Sequence, residues 1–260
     1  MITLSVVIPA YNEAFRILPT LQSMCDVLDR RDQPYEVLVI DDCSMDKTLA
    51  VVDAFSRRQP AVRVITLPIH VGKGGAVRAG MQEARGVRRL IADADGATPF
   101  QELERLEASL DQGANLAIGS RYLASRDPRC QVVARWHRSA LGSLFNAIVQ
   151  RLGIPAITDT QCGFKLLTSA AALDLFSVMR VNGFGFDLEL LYLAQRRGYR
   201  ISEVPIHWCD QPGSKVRVAR DGVRMLADLL QVRRTYAFGG YDPSPAPALP
   251  THLTSTVSHK

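Results

Sequence analysis

Two aspartates one residue apart, Asp93 and Asp95, close the apolar run Leu90-Ile91-Ala92 and are followed by Gly96. Carboxylates at that spacing, just beyond a buried strand, reach one divalent cation directly or through its waters. Mg2+ or Mn2+ held this way keeps coordination positions for phosphate oxygens. A solvated acidic turn is the plain alternative for an isolated Asp-x-Asp. A second acidic group, Asp41-Asp42-Cys43-Ser44-Met45-Asp46, follows the run Val37–Ile40. Carboxylates so crowded repel unless a cation or hydrogen-bond donors lie beside them. Asp46 suits a helix cap, whereas Asp41 and Asp42 suit a ribose or a base. The segment His70-Val71-Gly72-Lys73-Gly74-Gly75-Ala76 opens a helix and offers backbone N–H groups and an ammonium to a phosphate. It is not a Walker loop, because Leu67 stands where glycine is required and Gly74 where serine or threonine is required. No Gly-x-Gly-x-x-Gly follows the first strand, so ATPase and NAD-dependent chemistry are set aside.

These residues need a scaffold that brings strand ends together. Apolar runs of strand length, Leu4–Ile8, Val37–Ile40, Val62–Leu67, Leu90–Ala92 and Leu116–Ile118, alternate with helix-period stretches at Ala14–Arg30, Asp46–Arg58, Gly74–Arg85 and Pro99–Gln112. Pro99 is expected in the first turn of the last of these. The alternation predicts an α/β fold with a mainly parallel sheet flanked by helices. In open sheets of that kind ligands bind beyond the carboxyl ends of the strands, where the acidic turns and Pro9-Ala10-Tyr11-Asn12-Glu13 fall. The second half predicts helices over Trp136–Leu152, Ser169–Met179, Phe186–Arg197 and Asp221–Tyr236, with one more strand at Ile201–Ile206.

At 260 residues and 47% hydrophobic content the chain is long enough to bury one substantial core. The net charge of +5 favours an anionic partner without choosing among nucleotides, nucleic acid and membrane surfaces. No aromatic-interleaved basic patch speaks for nucleic acid. Five scattered cysteines form neither a zinc motif nor a disulfide framework, which predicts a reducing compartment. No apolar run is long enough to cross a bilayer and no signal peptide is evident, so membrane contact is expected at the surface only.

In order along the chain, Val7-Ile8-Pro9-Ala10-Tyr11-Asn12-Glu13, Asp41-Asp42-x-Ser44-x-Asp46, Gly72-Lys73-Gly74, Asp93-Ala94-Asp95-Gly96 and Gly119-Ser120-Arg121 resemble the large inverting GT-A glycosyltransferase family, of the family 2 type. Asp159-Thr160-Gln161-Cys162-Gly163-Phe164-Lys165, Phe186-Asp187-Leu188-Glu189-Leu190-Leu191 and Gly213-Ser214-Lys215-Val216-Arg217 are most similar to dolichyl- or polyprenyl-phosphate β-glucosyltransferases, and next to dolichyl-phosphate mannose synthases. The resemblance runs from about Leu4 to Tyr241. It implies a GT-A, Rossmann-like domain over residues 1–241 with C-terminal amphipathic helices at a membrane surface. It also implies transfer of a hexose, glucose from UDP-glucose in the first instance, onto a polyprenyl or dolichyl phosphate. GDP-mannose or another donor, a glycan or soluble hydroxyl acceptor, and a catalytically silent binding module are the competing expectations.

By the same resemblance Pro9, Tyr11 and Glu13 line the nucleotide pocket, Asp42 lies near base or ribose, and Lys73 is close by. Asp93 and Asp95 hold Mg2+ or Mn2+, and Asp95, Asp159 and Asp187 are the candidates for chemistry. Arg121, Arg135 and Ser139 form an acceptor-phosphate cradle, while Lys215 and Arg217 close over the donor diphosphate. The usual form of the second motif has glycine where this chain has Cys43, so the backbone there is expected to avoid conformations reserved for glycine. Basic residues Arg217, Arg220, Arg224, Arg233 and Arg234 in and around the last helix suit anionic headgroups. So does the basic start of the Trp136–Leu152 helix, beside Leu144, Phe145, Ile148, Val149 and Leu152. An unanchored protein peripheral on the cytoplasmic face of the cell membrane is expected, with residues 242–260 a disordered tail rich in Pro, Ser and Thr.

Overall fold

The structure, a computed structural model, describes residues 1–133, 136–213 and 218–242. Nine strands and nine α-helices are present among them, with one 3-10 turn at Phe100–Glu102. The strands are β1 Leu4–Ala10, β2 Tyr35–Asp41, β3 Val62–Thr66, β4 Arg88–Ile91, β5 Leu116–Ser120, β6 Val132–Val133, β7 Lys165–Thr168, β8 Ile201–Pro205 and β9 Trp208–Cys209. The helices are α1 Ile17–Asp29, α2 Thr48–Ser56, α3 Lys73–Glu83, α4 Leu103–Asp111, α5 Arg121–Ala124, α6 Trp136–Arg151, α7 Ser169–Val178, α8 Phe186–Arg196 and α9 Val218–Ala237.

Seven strands form one sheet in the order β3-β2-β1-β4-β7-β5-β8, and β6 and β9 pair separately. The sheet is covered on both faces, which is why its strands read as unbroken apolar runs rather than alternating ones. Side chains still alternate between the two cores. Val7, Leu38, Ile40 and Ile91 pack with α3, α7 and α8, while Val6, Ile8, Val37, Val39 and Leu90 pack with α1 and α4. Each such side chain, fully removed from water, contributes about 1.5–3 kcal/mol, so the strand ends that carry the site rest on a rigid platform.

All neighbouring pairs are parallel except those of β7, which runs antiparallel to both β4 and β5. This strand was not expected from the sequence, because its first residue is Lys165 and only Leu166 and Leu167 are apolar. Its register has a consequence for the site. Ile91 pairs with Lys165, so continuing the antiparallel count by two residues sets Asp93 opposite Gly163.

Pro99 lies outside its helix, in extended conformation (φ −57°, ψ 134°), and caps the 3-10 turn that precedes α4. Cys43 also departs from expectation. Its φ is +60°, in the left-handed region where an L side chain is disfavoured and glycine is at ease. Replacing Cys43 by glycine is therefore expected to raise the unfolding free energy by up to about 1 kcal/mol, offset in part by the freer unfolded chain. Denaturant unfolding of the two proteins side by side measures this directly.

Candidate active site

The turns after β1 and β2 are stitched into one surface. Asn12, itself at φ +51°, accepts from the Met45 N–H through Oδ1 at 2.7 Å, and its own N–H donates to Ser44 Oγ at 2.9 Å. Glu13 N–H donates to Thr48 Oγ1 at 2.7 Å, and Asp46 accepts from Thr48 N–H at 2.8 Å. Asn12, Ser44 and Asp46 thus fix the shape of a pocket wall. Asp42, buried, accepts from the Val71 and Gly72 N–H groups at 2.8 Å each and lies 2.9 Å from His70 Nδ1. The His70 ring in turn stacks on Tyr11, centroids 4.1 Å apart and planes tilted by 32°. The result is an aromatic pair at the carboxyl edge of β1 and β2, with the Tyr11 ring partly exposed and His70 exposed, a surface of the kind on which a planar base stacks.

Asp93 and Asp95 follow β4 at the same edge. Lys73, first residue of α3, places Nζ 2.7 Å from Asp93 Oδ1. Burial works against the lysine's charge, but Asp93 and then Asp187 outweigh it, and the ammonium is held above the usual lysine range. On the other side Arg16 grips Glu13 with two hydrogen bonds of 2.7 Å and reaches within 3.8 Å of Asp95 Oδ2. Its Nη1 also donates to the Pro212 carbonyl, next to the segment that leads toward Lys215. Glu13 therefore serves as the seat of Arg16, a residue the sequence reading passed over. Burial, and next the neighbouring Asp93 carboxylate, raise the Asp95 carboxyl above the ordinary aspartate value.

This arrangement fits a divalent cation. Two hard oxygen donors crowd each other, and a lysine ammonium and a guanidinium already offset their charge where a metal and a diphosphate would meet. No group of three or more His, Cys, Asp or Glu side chains that could hold a metal occurs among the described residues. Two carboxylates alone suit an ion that takes its remaining oxygens from a diphosphate and water. Gly163 shapes the same spot, since a Cβ added there would stand 1.9 Å from Asp93 Oδ2. The flexible carboxylate would turn aside more readily than the backbone would move. Gly163→Ala is accordingly expected to leave the melting temperature nearly unchanged while lowering turnover on the order of a hundredfold, the usual result of a displacement of about 1 Å.

Asp159 and Arg121 form the far wall. Asp159, buried, accepts from Arg121 N–H at 2.9 Å, Nε at 2.7 Å and Nη2 at 2.7 Å, leaving Arg121 Nη1 directed elsewhere. The guanidinium also lies over the Trp208 ring, 5.2 Å from its centroid. Burial raises the Asp159 carboxyl, but Arg121 overrides it and the carboxylate is held below its ordinary value. Glu203 of β8 fixes this loop by accepting from Thr158 N–H at 2.8 Å and Asp159 N–H at 3.0 Å. Asp187, in the first turn of α8, meets the fully buried Lys165 ammonium at 2.5 Å. Burial, against the pull of Lys165 and Lys73, raises its carboxyl. Lys165, to which its sequence motif assigns no role, is the internal counter-ion of the site.

A brace lies behind Lys73. Glu189, buried in α8, accepts from the Arg180 and Val181 N–H groups at 2.9 and 2.8 Å and from the Tyr241 hydroxyl at 2.6 Å. The loop it holds supplies the Asn182 carbonyl to Gly75 N–H at 3.2 Å and packs tightly on Gly74. Of the other expected site residues, Arg135, Lys215 and Arg217 lie outside the described residues, as does the side chain of Ser139 in α6; the tail from residue 243 onward does too.

The doubled-wall sheet with its acidic edge is a GT-A fold. The chain is similar to solved structures of glucosyl-3-phosphoglycerate synthase from Mycobacterium tuberculosis. One of them, a complex with Mn2+, uridine-diphosphate-glucose and phosphoglyceric acid, matches with a TM-score of 0.67 at 18% identity, over 88% of this chain and 79% of that one. A mannosyl-3-phosphoglycerate synthase from Rubrobacter xylanophilus also gives a TM-score of 0.67, at 17% identity over 96% of this chain and 79% of that one. The model of the family "Glycosyl transferase family 2" matches residues 5–173. Dolichyl-phosphate beta-glucosyltransferases are 39% identical in Mus musculus and 36% in Saccharomyces cerevisiae, each over 92% of this chain and 77% of the relative. The chain belongs to glycosyltransferase family 2 and is a glycosyltransferase.

Proposed function

We propose that the enzyme moves glucose from UDP-glucose to a dolichyl or polyprenyl phosphate, with inversion at the anomeric carbon and with the help of Mg2+ or Mn2+. The observation that carries this reading is the meeting of Asp93, Asp95 and Lys73 on one side of the cleft with the Arg121–Asp159 pair on the other. The relatives named for transfer to dolichyl phosphate, aligned over nearly the whole chain, support the choice of acceptor.

Tyr11 and His70 take the base between Pro9 and the loop held by Asp42. Asp93 and Asp95 would hold the cation, which would supply charge neutralisation for a departing nucleotide diphosphate. Lys73 faces the same phosphates, and the Glu189 brace keeps its turn in place as charge develops. Arg121, fixed by Asp159 and Trp208, presents Nη1 to the acceptor phosphate, with Arg135 and Ser139 assigned to the same cradle. Lys215 and Arg217, beyond the Pro212 contact of Arg16, are assigned to closure over the donor. The acceptor oxygen of a lipid phosphate is already anionic near neutral pH, so the displacement needs no strong base. An alcohol acceptor would need one. Asp159 is bound bidentately to Arg121 and Asp187 is paired with Lys165, which counts against that alternative.

No helix of the described residues is long and apolar enough to cross a membrane. The α6 helix divides its apolar side chains, with Val149 buried in the core and Leu144 and Ile148 exposed. Those two exposed residues support contact with a membrane surface, assigned here to its cytoplasmic face. The deciding experiment incubates the purified protein with labelled nucleotide sugars, polyprenyl phosphate and Mn2+ or Mg2+. Label in the organic phase from UDP-glucose, and none without metal, is the expected outcome. Label appearing only in a soluble acceptor, or independent of metal, would refute the proposal.

A further inference from the structure

At the end of α8 remote from the cleft, an open groove of about 570 Å3 is lined by Arg196, Arg233 and Arg234 together with Tyr192, Tyr236 and Leu230. Arg196 stands nine positions after Asp187, roughly 14 Å along the helix axis, so the groove is separate from the donor and acceptor sites. One of its cations is held by the rings beside it. Arg196 lies over both tyrosine rings, 5.1 Å from the Tyr192 centroid and 5.8 Å from that of Tyr236, and the rings meet edge to face at 5.7 Å. Such stacking fixes the plane of a guanidinium while leaving its N–H edge for a ligand. Among the described residues, none of the three guanidiniums has a carboxylate within the 4.0 Å of an ion pair. Three guanidiniums without a counter-ion match a phosphate group, which accepts several charge-assisted hydrogen bonds at once.

The rim decides which phosphate. On α9 and at the residue that follows it, whose N–H still bonds to the Arg234 carbonyl, Val223, Leu230 and Phe238 are exposed by 70%, 51% and 81%. At 3.6 residues per turn they share a sector of about 80° with Arg234, while Asp221 and Asp228 fall about 160° or more from Leu230. Apolar side chains and arginines on one face, with no acid between them, suit an interface of acyl chains and anionic headgroups. We propose that the groove seats the phosphate of an anionic phospholipid headgroup, with Leu230 and Phe238 dipping beside it. The inference rests on the membrane-surface reading above for the source of the phosphate, and not on the identity of the donor or acceptor.

The test floats the full chain on phosphatidylcholine vesicles with and without phosphatidylglycerol. Binding is expected only with phosphatidylglycerol, and Arg233→Ala/Arg234→Ala should weaken it on the order of tenfold or more. Arg57→Ala/Arg58→Ala removes the same charge from exposed positions at the end of α2, away from α9, and should weaken it by no more than about threefold, because such charges are screened. Equal losses from the two pairs would mean diffuse attraction and overturn the proposal. A second arm titrates glycerol 3-phosphate and inorganic phosphate: binding that needs Arg233 and Arg234 in solution, while vesicle binding ignores them, would also overturn it. Unchanged thermal unfolding and unchanged transfer to detergent-dissolved polyprenyl phosphate should accompany the groove variant. Absence of any transfer by the unaltered enzyme would refute the activity and leave the vesicle result standing.

Discussion

Replacing Asp95 with alanine will lower sugar transfer by on the order of a thousandfold, the scale of losing the several kcal/mol that a fixed cation contributes to a leaving diphosphate. Folding should not suffer. Burial and Asp93 already raise the Asp95 carboxyl, so the ionised pair is a cost to the folded protein. Removing one member should leave the melting temperature where it is or raise it slightly. The same raised carboxyl sets a pH dependence. Protons compete with the metal for Asp95, so the metal concentration giving half-maximal rate should increase as pH falls toward the raised value. Initial rates over a metal titration at several pH values, together with thermal melts, check both parts. A variant that loses activity and stability in parallel would mean that Asp95 is structural.

Replacing Lys165 with methionine will destabilise the protein by about 3–5 kcal/mol, the usual cost of leaving one partner of a buried ion pair uncompensated. Lys165 is fully buried and meets Asp187 Oδ1 and the Cys162 carbonyl at 2.5 Å each. Without it the Asp187 carboxyl, raised already by burial, must rise further. A carboxyl whose folded value lies above its unfolded one binds more protons when folded, so stability is gained as pH falls toward that value. The deficit of the variant should therefore shrink in mildly acid solution, and Lys165→Met/Asp187→Leu should recover part of it at neutral pH. Urea unfolding of the three proteins at neutral and mildly acid pH measures both effects. A deficit independent of pH would show that methionine packing, rather than the orphaned carboxylate, is responsible.

Much of this architecture is legible in the chain. Runs such as Val37–Ile40 and Leu116–Ile118 declare buried strands because both sheet faces are covered, and the acidic residues after them declare the ligand edge. What the sequence hides has physical causes. The β7 strand begins with a lysine that is neutralised only in three dimensions, so no pattern of apolar residues marks it. Gly163 gains its meaning only through the antiparallel register that β7 imposes. Arg16 could have been found from its spacing, since Glu13 and Arg16 at i,i+3 face one another at a helix start. Cys43 carried its own signal: the glycine usual at that position reflects a left-handed backbone, which this chain keeps with a side chain attached. The groove at Arg196 is half visible in the basic character of α9, but the tyrosines that orient Arg196 come from two elements brought together only by packing.

The Glu189–Tyr241 bond bears on the order in which the enzyme becomes competent. A nascent polypeptide leaving the ribosome exposes Lys73, Asp93 and Asp187 well before Tyr241. Tyr241 lies 52 positions beyond Glu189, so the prop under the lysine turn can form only after every one of those acids and the lysine has been made. A polypeptide grown only as far as Glu189 holds those groups without the hydroxyl that later fastens them.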